Sequence, residues 1–253
     1  LPKPDTRLGY IPLGVVGVFA ASNFPLAFST AGGDTASALA AGCPVVMKAH
    51  AAHPATAELV ASAILAAAKR CDIDTGVFSL IQGKNYAISS QIVTHPLVKA
   101  VGFTGSERVG MILQRQINER PEPIPFYGEL GSVNPQFIMP GEIAANGEGI
   151  AQGLVGSLMM GQGQFCTSPG IWAVIEDETY ASFANAAVDA IQQTEAGVML
   201  TPGIASSYKQ AVSQWKSVDG ITLRVEGKAG VAHFCQSALF ETSLETFLES
   251  EAL

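Results

Sequence analysis

The chain has 253 residues, 48% hydrophobic and only 14% charged, with 14 Lys and Arg against 22 Asp and Glu and a formal net charge of −8. At roughly 100–200 residues per domain, that is one large domain or two small ones, long enough to bury a core without disulfides or metals. The acidic balance provides no basic stripe and argues against nucleic acid as a partner.

The low charge fraction suits a chain that buries much of its surface against other protein. Mean hydropathy is +0.28, yet no run reaches the roughly 18 apolar residues of a membrane span. The nearest, residues 14–28, is broken by Ser22, Asn23 and Pro25. Cys43, Cys71, Cys166 and Cys235 match no zinc or redox spacing, so a reduced, cytoplasmic protein is expected. The sequence starts Leu1-Pro2-Lys3-Pro4-Asp5 with neither initiator Met nor signal peptide, and stops at Glu251-Ala252-Leu253 without a tail. The expectation is a piece of a longer chain.

The first half alternates strand and helix patterns. Residues 15–20 form a short, fully apolar run, as in a strand buried on both faces. A helix is expected over 28–41, a strand over 44–48, and a long helix over 55–70 opened by Pro54. Strand 77–81 closes at Gly83. A helix at 86–93, a strand at 98–103 and a helix at 107–119 follow, and residues 125–127 lead into Gly128-Glu129-Leu130-Gly131. Such βαβ spacing implies an open, doubly wound, mostly parallel Rossmann-type sheet, with ligands outside the carboxyl ends of its strands.

After Asn134-Pro135 the rhythm changes. Helices are expected over 149–161, 180–193 and 206–217, with strands at 171–175, 222–225 and 238–241. The expected division is a dinucleotide-binding domain over 1–138 and a partial second α/β domain over 139–253 that carries Cys166.

Several residues have chemistry to offer. Cys166 lies in a loop with Gly163, Thr167, Ser168, Pro169 and Gly170, and reads either as a nucleophile or as an inert buried thiol. Glu129, after a strand, is a general base or a solvated turn residue. Asn23 interrupts an apolar run at a strand's end, and is an oxyanion donor or a cap. Thr104-Gly105-Ser106 opens a helix, where free amides suit phosphate, although no full G-x-G-x-x-G is present and a capping Ser explains it as well. Lys48, at the ligand edge, is a nucleotide contact or a solvated lysine. His53, His95 and His233 read as caps or surface residues, and the histidines have no metal spacing.

Order and spacing are more specific than any single residue. Ser22-Asn23-Phe24-Pro25, Lys48 after Val45-Val46-Met47, Phe103-Thr104-Gly105-Ser106, Glu129-Leu130-Gly131-Ser132-Val133-Asn134-Pro135 and Gly163-Gln164-Phe165-Cys166-Thr167 together resemble the aldehyde dehydrogenase superfamily over essentially the whole chain. The resemblance implies a Rossmann-type cofactor domain, a catalytic domain and a small oligomerisation arm. It implies that Cys166 attacks an aldehyde to give a thiohemiacetal, that Asn23 and the Cys166 N–H hold the oxyanion, and that Glu129 activates water or first deprotonates the thiol. It places Ala21, Ser22, Lys48, His50, Ala51, Gly83, Phe103, Thr104, Gly105, Ser106, Val109, Leu130 and Gly131 along the cofactor.

The chain departs from the commonest family pattern at four places. Ser22 stands where a Trp is usual. Lys48-Ala49-His50-Ala51 replaces Lys-Pro-x-Glu, which removes a carboxylate that repels a 2′-phosphate and so favours NADP, with NAD as the alternative. Asp34 replaces a Lys of the first helix. Glu-Leu-Gly-Ser-Val-Asn-Pro replaces Glu-Leu-Gly-Gly-Lys-Asn-Pro. With residues 28–38, these features resemble the branch containing 2-oxoglutarate semialdehyde dehydrogenases and a bacterial NADP-dependent fatty aldehyde dehydrogenase.

The expected substrate is 2,5-dioxopentanoate. The alternatives are a medium or long-chain aliphatic aldehyde, or a fragment that retains only nucleotide binding. The family's N-terminal arm and its Glu-x-Phe-Gly-Pro motif are not in the chain, so weak cofactor closure and little turnover are expected of the piece alone. A homodimer or homotetramer is expected of the intact protein.

Overall fold

The structure is a computed structural model that describes residues 3–250. The chain ends Leu1-Pro2 and Glu251-Ala252-Leu253, where the sequence pointed to a longer parent, lie outside the described residues. The polypeptide forms two compact units, the first up to Gly131 and the second from Ser132.

The first unit is built from β1 (Val15–Phe19), α1 (Gly33–Ala40), β2 (Val45–Lys48), α2 (Pro54–Arg70), β3 (Phe78–Ile81), α3 (Tyr86–Thr94), β4 (Val98–Thr104), α4 (Glu107–Asn118) and β5 (Phe126–Glu129). Its five strands pair in the order β3-β2-β1-β4-β5, every pairing parallel. The Rossmann-type sheet read from the sequence is therefore present.

Alternation along the strands assigns each helix pair to a face. Val16, Val18 and Ala20 point with Val45 and Met47 into a cluster holding Ala38 of α1 and Ala61 of α2. Phe19 points the other way, to Val101 and Phe103, Ile92 and Val93 of α3, and Leu113 and Ile117 of α4. Both faces are covered, as a parallel sheet requires.

The helix α2 has Pro in its first turn and Lys69 and Arg70 in its last, complementing the helix dipole at the carboxyl end. Helix α1 starts at Gly33 rather than at residue 28, because turns and bends occupy 25–32. There the Gly32 amide bonds the Ser29 carbonyl at 2.9 Å, and Ser29 and Thr30 are buried.

The second unit comprises β6 (Gln136–Ile138), α5 (Pro140–Met159), β7 (Trp172–Val174), α6 (Tyr180–Gln192), β8 (Gly197–Val198), α7 (Pro202–Trp215), β9 (Ile221–Glu226), β10 (Phe234–Cys235), β11 (Ala238–Thr242) and α8 (Leu244–Glu249). The strand β6 belongs here because it pairs in parallel with β7. Helix α5 begins nine residues before the expected 149 and kinks at Asn146. Its core joins Ile138, Ile143, Ala151, Phe183 and Ala187, with Trp172 and Leu239 packed against them. Strands β9 and β11 pair antiparallel, as do β8 and β10.

One buried cation ties the first unit together. Arg120 is 8% exposed, and its guanidinium donates to the carbonyls of Val93 at 2.7 Å, His95 at 3.1 Å and Val98 at 3.0 Å, joining the end of α4 to the α3–β4 turn. Substituting Arg120→Met removes all three of those bonds and leaves the His95 carbonyl with the Val98 amide alone. It should lower unfolding free energy by about 3 kcal/mol, read as a fall in the urea midpoint.

Candidate active site

The carboxyl ends of the first unit's strands form one rim. Register puts Ile81, Lys48, Phe19 and Phe103 in one row across β3, β2, β1 and β4, and Thr104 pairs with Glu129 one step beyond. The sheet's order reverses direction at β1, so the chain leaving β1 crosses an open crevice there. That chain is Ala20–Pro25, which holds buried Ala21 and half-buried Ser22 and Asn23. The Ala21 amide bonds the Phe28 carbonyl at 2.9 Å, and the Ala20 amide bonds Lys48 across the strands at 3.3 Å.

Next to it, the β2–α2 turn carries a compact basic group. Lys48 and His50 are half-buried and Ala51 is exposed. The His50 Nδ1 accepts from the Ala52 amide at 3.1 Å, which puts its proton on Nε2. The rings of His50 and His53 stack 5.7 Å apart. The His53 ring sits 2.7 Å from the Ala21 carbonyl through Nε2. That carbonyl only accepts, so Nε2 donates, and the buried Nδ1 has no protein partner. Burial holds the Lys48 ammonium below its ordinary value. Burial, then the neighbouring His53 and Lys48, bring His50 down to about 4.

Carboxyls gather at the other end of the rim. Glu129 stands exposed at the last residue of β5, its carbonyl accepting from the Gly105 amide at 3.0 Å. Asp34, in the first turn of α1, lies over β4, where a Cβ on Gly102 would sit 2.9 Å from its Oδ2. Burial, and then the charge of Glu129, raise the Asp34 carboxyl above its ordinary value.

The second unit presents Cys166 exposed on a turn. The turn spans residues 165–168 and closes through the Ser168 amide and the Phe165 carbonyl at 3.2 Å. Gly161, Gln162 and Gly163 before it all adopt positive φ, at 58°, 58° and 69°. A Cβ on Gly161 would press into the Phe165 ring at 2.3 Å. Gln164 anchors the loop by donating to the Gly161 carbonyl at 3.1 Å and accepting from the Leu200 amide at 2.9 Å.

Residues 132–136 run alongside. Ser132 Oγ donates to the Cys166 carbonyl at 2.5 Å. Asn134 Nδ2 donates to the same carbonyl at 2.6 Å and to that of Ser168 at 3.0 Å. The Gly170 amide bonds Val133 and the Gln136 amide bonds Ile171, both at 2.8 Å.

Of the sequence-read site residues, the first unit brings Ala21, Ser22, Asn23, Lys48, His50, Thr104, Gly105 and Glu129 to its strand-end rim. Ala51 and Ser106 are exposed beside it, and Gly83 follows β3 with φ +147°. Phe103 is buried, and half-buried Val109 and Leu130 pack against the same cluster, so these three side chains serve the core. Gly131 is exposed after β5. Cys166 stands in the other unit. Sequence reasoning missed the ring bond of His53 and the donors on Ser132 and Asn134. The left-handed φ of 43° at Asn134 is one that Asn tolerates best after Gly, which was an available signal.

The residues present fit an anionic nucleotide. The Nε2–H of His50 and the Lys48 ammonium are donors at one rim. Ser106 starts the 12-residue α4 without a side-chain capping bond, so the helix's first amides remain for a phosphate.

Residues 4–225 match the model of the aldehyde dehydrogenase family. The chain is 48% identical over 254 residues to alpha-ketoglutaric semialdehyde dehydrogenase 2 of Azospirillum brasilense, covering all of this chain and 48% of that protein. It is 46% identical over 229 residues to alpha-ketoglutaric semialdehyde dehydrogenase of Acinetobacter baylyi, covering 90% of this chain and 43% of that protein. The chain thus spans about half the length of the curated relatives it matches. Among solved structures, an NAD-dependent benzaldehyde dehydrogenase from Corynebacterium glutamicum superposes with a TM-score of 0.72 at 26% identity, over 91% of this chain and 50% of that one. With the parallel sheet, the cysteine turn and a family match across most of its length, the chain belongs to the aldehyde dehydrogenase family.

Proposed function

We propose that the chain is part of an NAD(P)-dependent aldehyde dehydrogenase that oxidises 2,5-dioxopentanoate to the dicarboxylic acid, with NADP preferred over NAD. The observation that carries this reading is the 48% identity, held over the whole chain, with a protein named as an alpha-ketoglutaric semialdehyde dehydrogenase. The exposed thiol of Cys166 supports it chemically.

In this reading the Cys166 thiolate adds to the aldehyde carbon, and the carbonyl oxygen becomes an oxyanion held by the Asn23 side-chain amide and the Cys166 N–H. The bound nicotinamide supplies the hydride acceptor. Loss of hydride from carbon leaves a thioester on Cys166. Glu129 takes a proton from water as the water attacks that thioester, releasing acid and restoring the thiolate.

The preference for NADP rests on the basic group at the β2–α2 turn. Lys48 and His50 supply donors to a 2′-phosphate, and Ala51 presents no carboxylate to repel it. A cytoplasmic location accords with four free thiols. Among the described residues no helix is long and apolar enough to cross a membrane. Assembly as a homodimer or homotetramer accords with exposed Leu8, Tyr10 and Ile11.

In the intact protein, Cys166→Ser should abolish oxidation, and kcat/KM for 2,5-dioxopentanoate should exceed that for decanal. Retained turnover, or a preference for decanal, contradicts the reading. NADP should raise the thermal midpoint of this chain more than equimolar NAD does, because a ligand bound only to the native state stabilises it. Lys48→Ala should erase that difference.

The pH dependence has a definite sign. His50 binds its proton at about pH 4 when folded and near 6.5 when unfolded. Its contribution is therefore present above 6.5 and is lost as pH falls from there toward 4, where the unfolded chain holds more protons. His50→Gln should flatten the decline in thermal midpoint across that window.

A further inference from the structure

Two side chains near Cys166 send hydrogen bonds to a single atom. The carbonyl oxygen of Cys166 accepts from Ser132 Oγ at 2.5 Å and from Asn134 Nδ2 at 2.6 Å. That carbonyl belongs to the peptide between the second and third residues of the 165–168 turn, whose orientation is set by ψ of Cys166. The turn's own hydrogen bond is long, at 3.2 Å, and holds that peptide weakly. Type I and type II turns differ mainly in this ψ, and type II needs a positive φ at the third position. Thr167 is β-branched and is not among the positive-φ residues, so a full flip is disfavoured. Rocking of the central peptide is not, and the donors from residues 132 and 134 act against it.

Ser132 is also where the sequence departs from the commonest family pattern, which has Gly there. A glycine has no hydroxyl to donate. The stretch 132–134 is itself fixed, because the Val133 carbonyl accepts from the Gly170 amide and β6 begins after one further residue, Pro135, paired to β7. The clamp therefore hangs from a strand pair and reaches the cysteine through two short hydrogen bonds.

We propose that Ser132, together with Asn134, is a positioning residue for the Cys166 thiol: by holding the Cys166 carbonyl, it fixes the backbone angle that aims the sulfur out of the loop. The proposal rests on the reading of Cys166 as the nucleophile, and adds which side chains orient it.

The test is alkylation by iodoacetamide in a Cys71→Ser background, where Cys166 is the one exposed thiol among the described residues. Rates are followed from below to above the ordinary thiol pKa of about 8.5. Ser132→Gly should slow Cys166 alkylation about fivefold across the profile, the population change that one hydrogen bond's net worth supports. Ser132→Thr, which keeps the hydroxyl, should restore the parent rate. Asn134→Gly keeps the left-handed backbone accessible and removes both side-chain bonds, so it should slow the reaction at least as much.

Loosening of the fold would act in the opposite direction, speeding alkylation and exposing Cys43 and Cys235 as well. Unchanged or faster alkylation in Ser132→Gly, or a Ser132→Thr variant as slow as Ser132→Gly, overturns the proposal. Failure of the nucleophile reading shows separately, as aldehyde oxidation that survives Cys166→Ser in the intact protein.

Discussion

Strand β1 is held between β2 and β4 with both faces covered, and the rim geometry of the first unit follows from that confinement. Val16 and Val18 are committed to the α1–α2 side and Phe19 to the α3–α4 side. A slip of one residue would exchange those sets and push Phe19 toward the alanines of α1 and α2. With the register locked, Lys48 must end level with Phe19 and Phe103, and Glu129 must end beside Thr104. The reversal of strand order at β1 then leaves the Ala20–Pro25 segment over a gap that no crossover helix fills. Placement of the candidate polar residues is thus a consequence of apolar packing two or three residues upstream.

The second unit reaches the same end by other means. Its strand pair β6–β7 is only three residues long on each side, too short to impose geometry far from itself. Cys166 is instead positioned by side-chain donors and by backbone conformation. Three consecutive positive-φ residues turn the chain after α5, and Gln164 ties the loop to residues 161 and 200. A left-handed Gln at position 162 costs roughly 1 kcal/mol or more relative to Gly. Its side chain offsets part of that cost by donating to the Glu195 carbonyl at 3.2 Å.

These two modes explain what could be read in advance. Parallel strands buried on both faces leave continuous apolar runs, so 15–20, 44–48, 77–81 and 98–103 were legible, and Pro54 marked the start of α2. Helix α1 was read too long because the small and apolar residues 28–32 look helical until the buried turn around Ser29 and Thr30 is known. Helix α5 was read too short because Gly141, Gly147 and Gly149 mask its beginning. Strands β6, β8 and β10 are two or three residues each, below what periodicity can detect. Asn23, Lys48, Glu129 and Cys166 were singled out by the order of their motifs. The Ser132 bond to Cys166 was not, since it joins positions 34 apart and depends on a carbonyl direction that no residue type encodes.

The rim of the first unit also has an electrostatic asymmetry that neither composition nor net charge reveals. At the β2 end, burial disfavours the charged forms of Lys48 and His50, and the stacked His53 ring adds a second basic neighbour. At the β4–β5 end, burial and the nearby Glu129 disfavour the charged form of Asp34. Both ends are short of countercharge within this unit, with opposite sign. An anion meeting the first end gains from the Lys48 ammonium, which has already lost part of its hydration, and from the His50 N–H, while a proton arriving at the second relieves a part-buried carboxyl within the field of another carboxylate. One parallel sheet therefore presents an anion-seeking and a proton-accepting end along a single edge. Their separation is set by the two strands, β1 and β4, that lie between those bearing Lys48 and Glu129 rather than by any contact between the groups themselves.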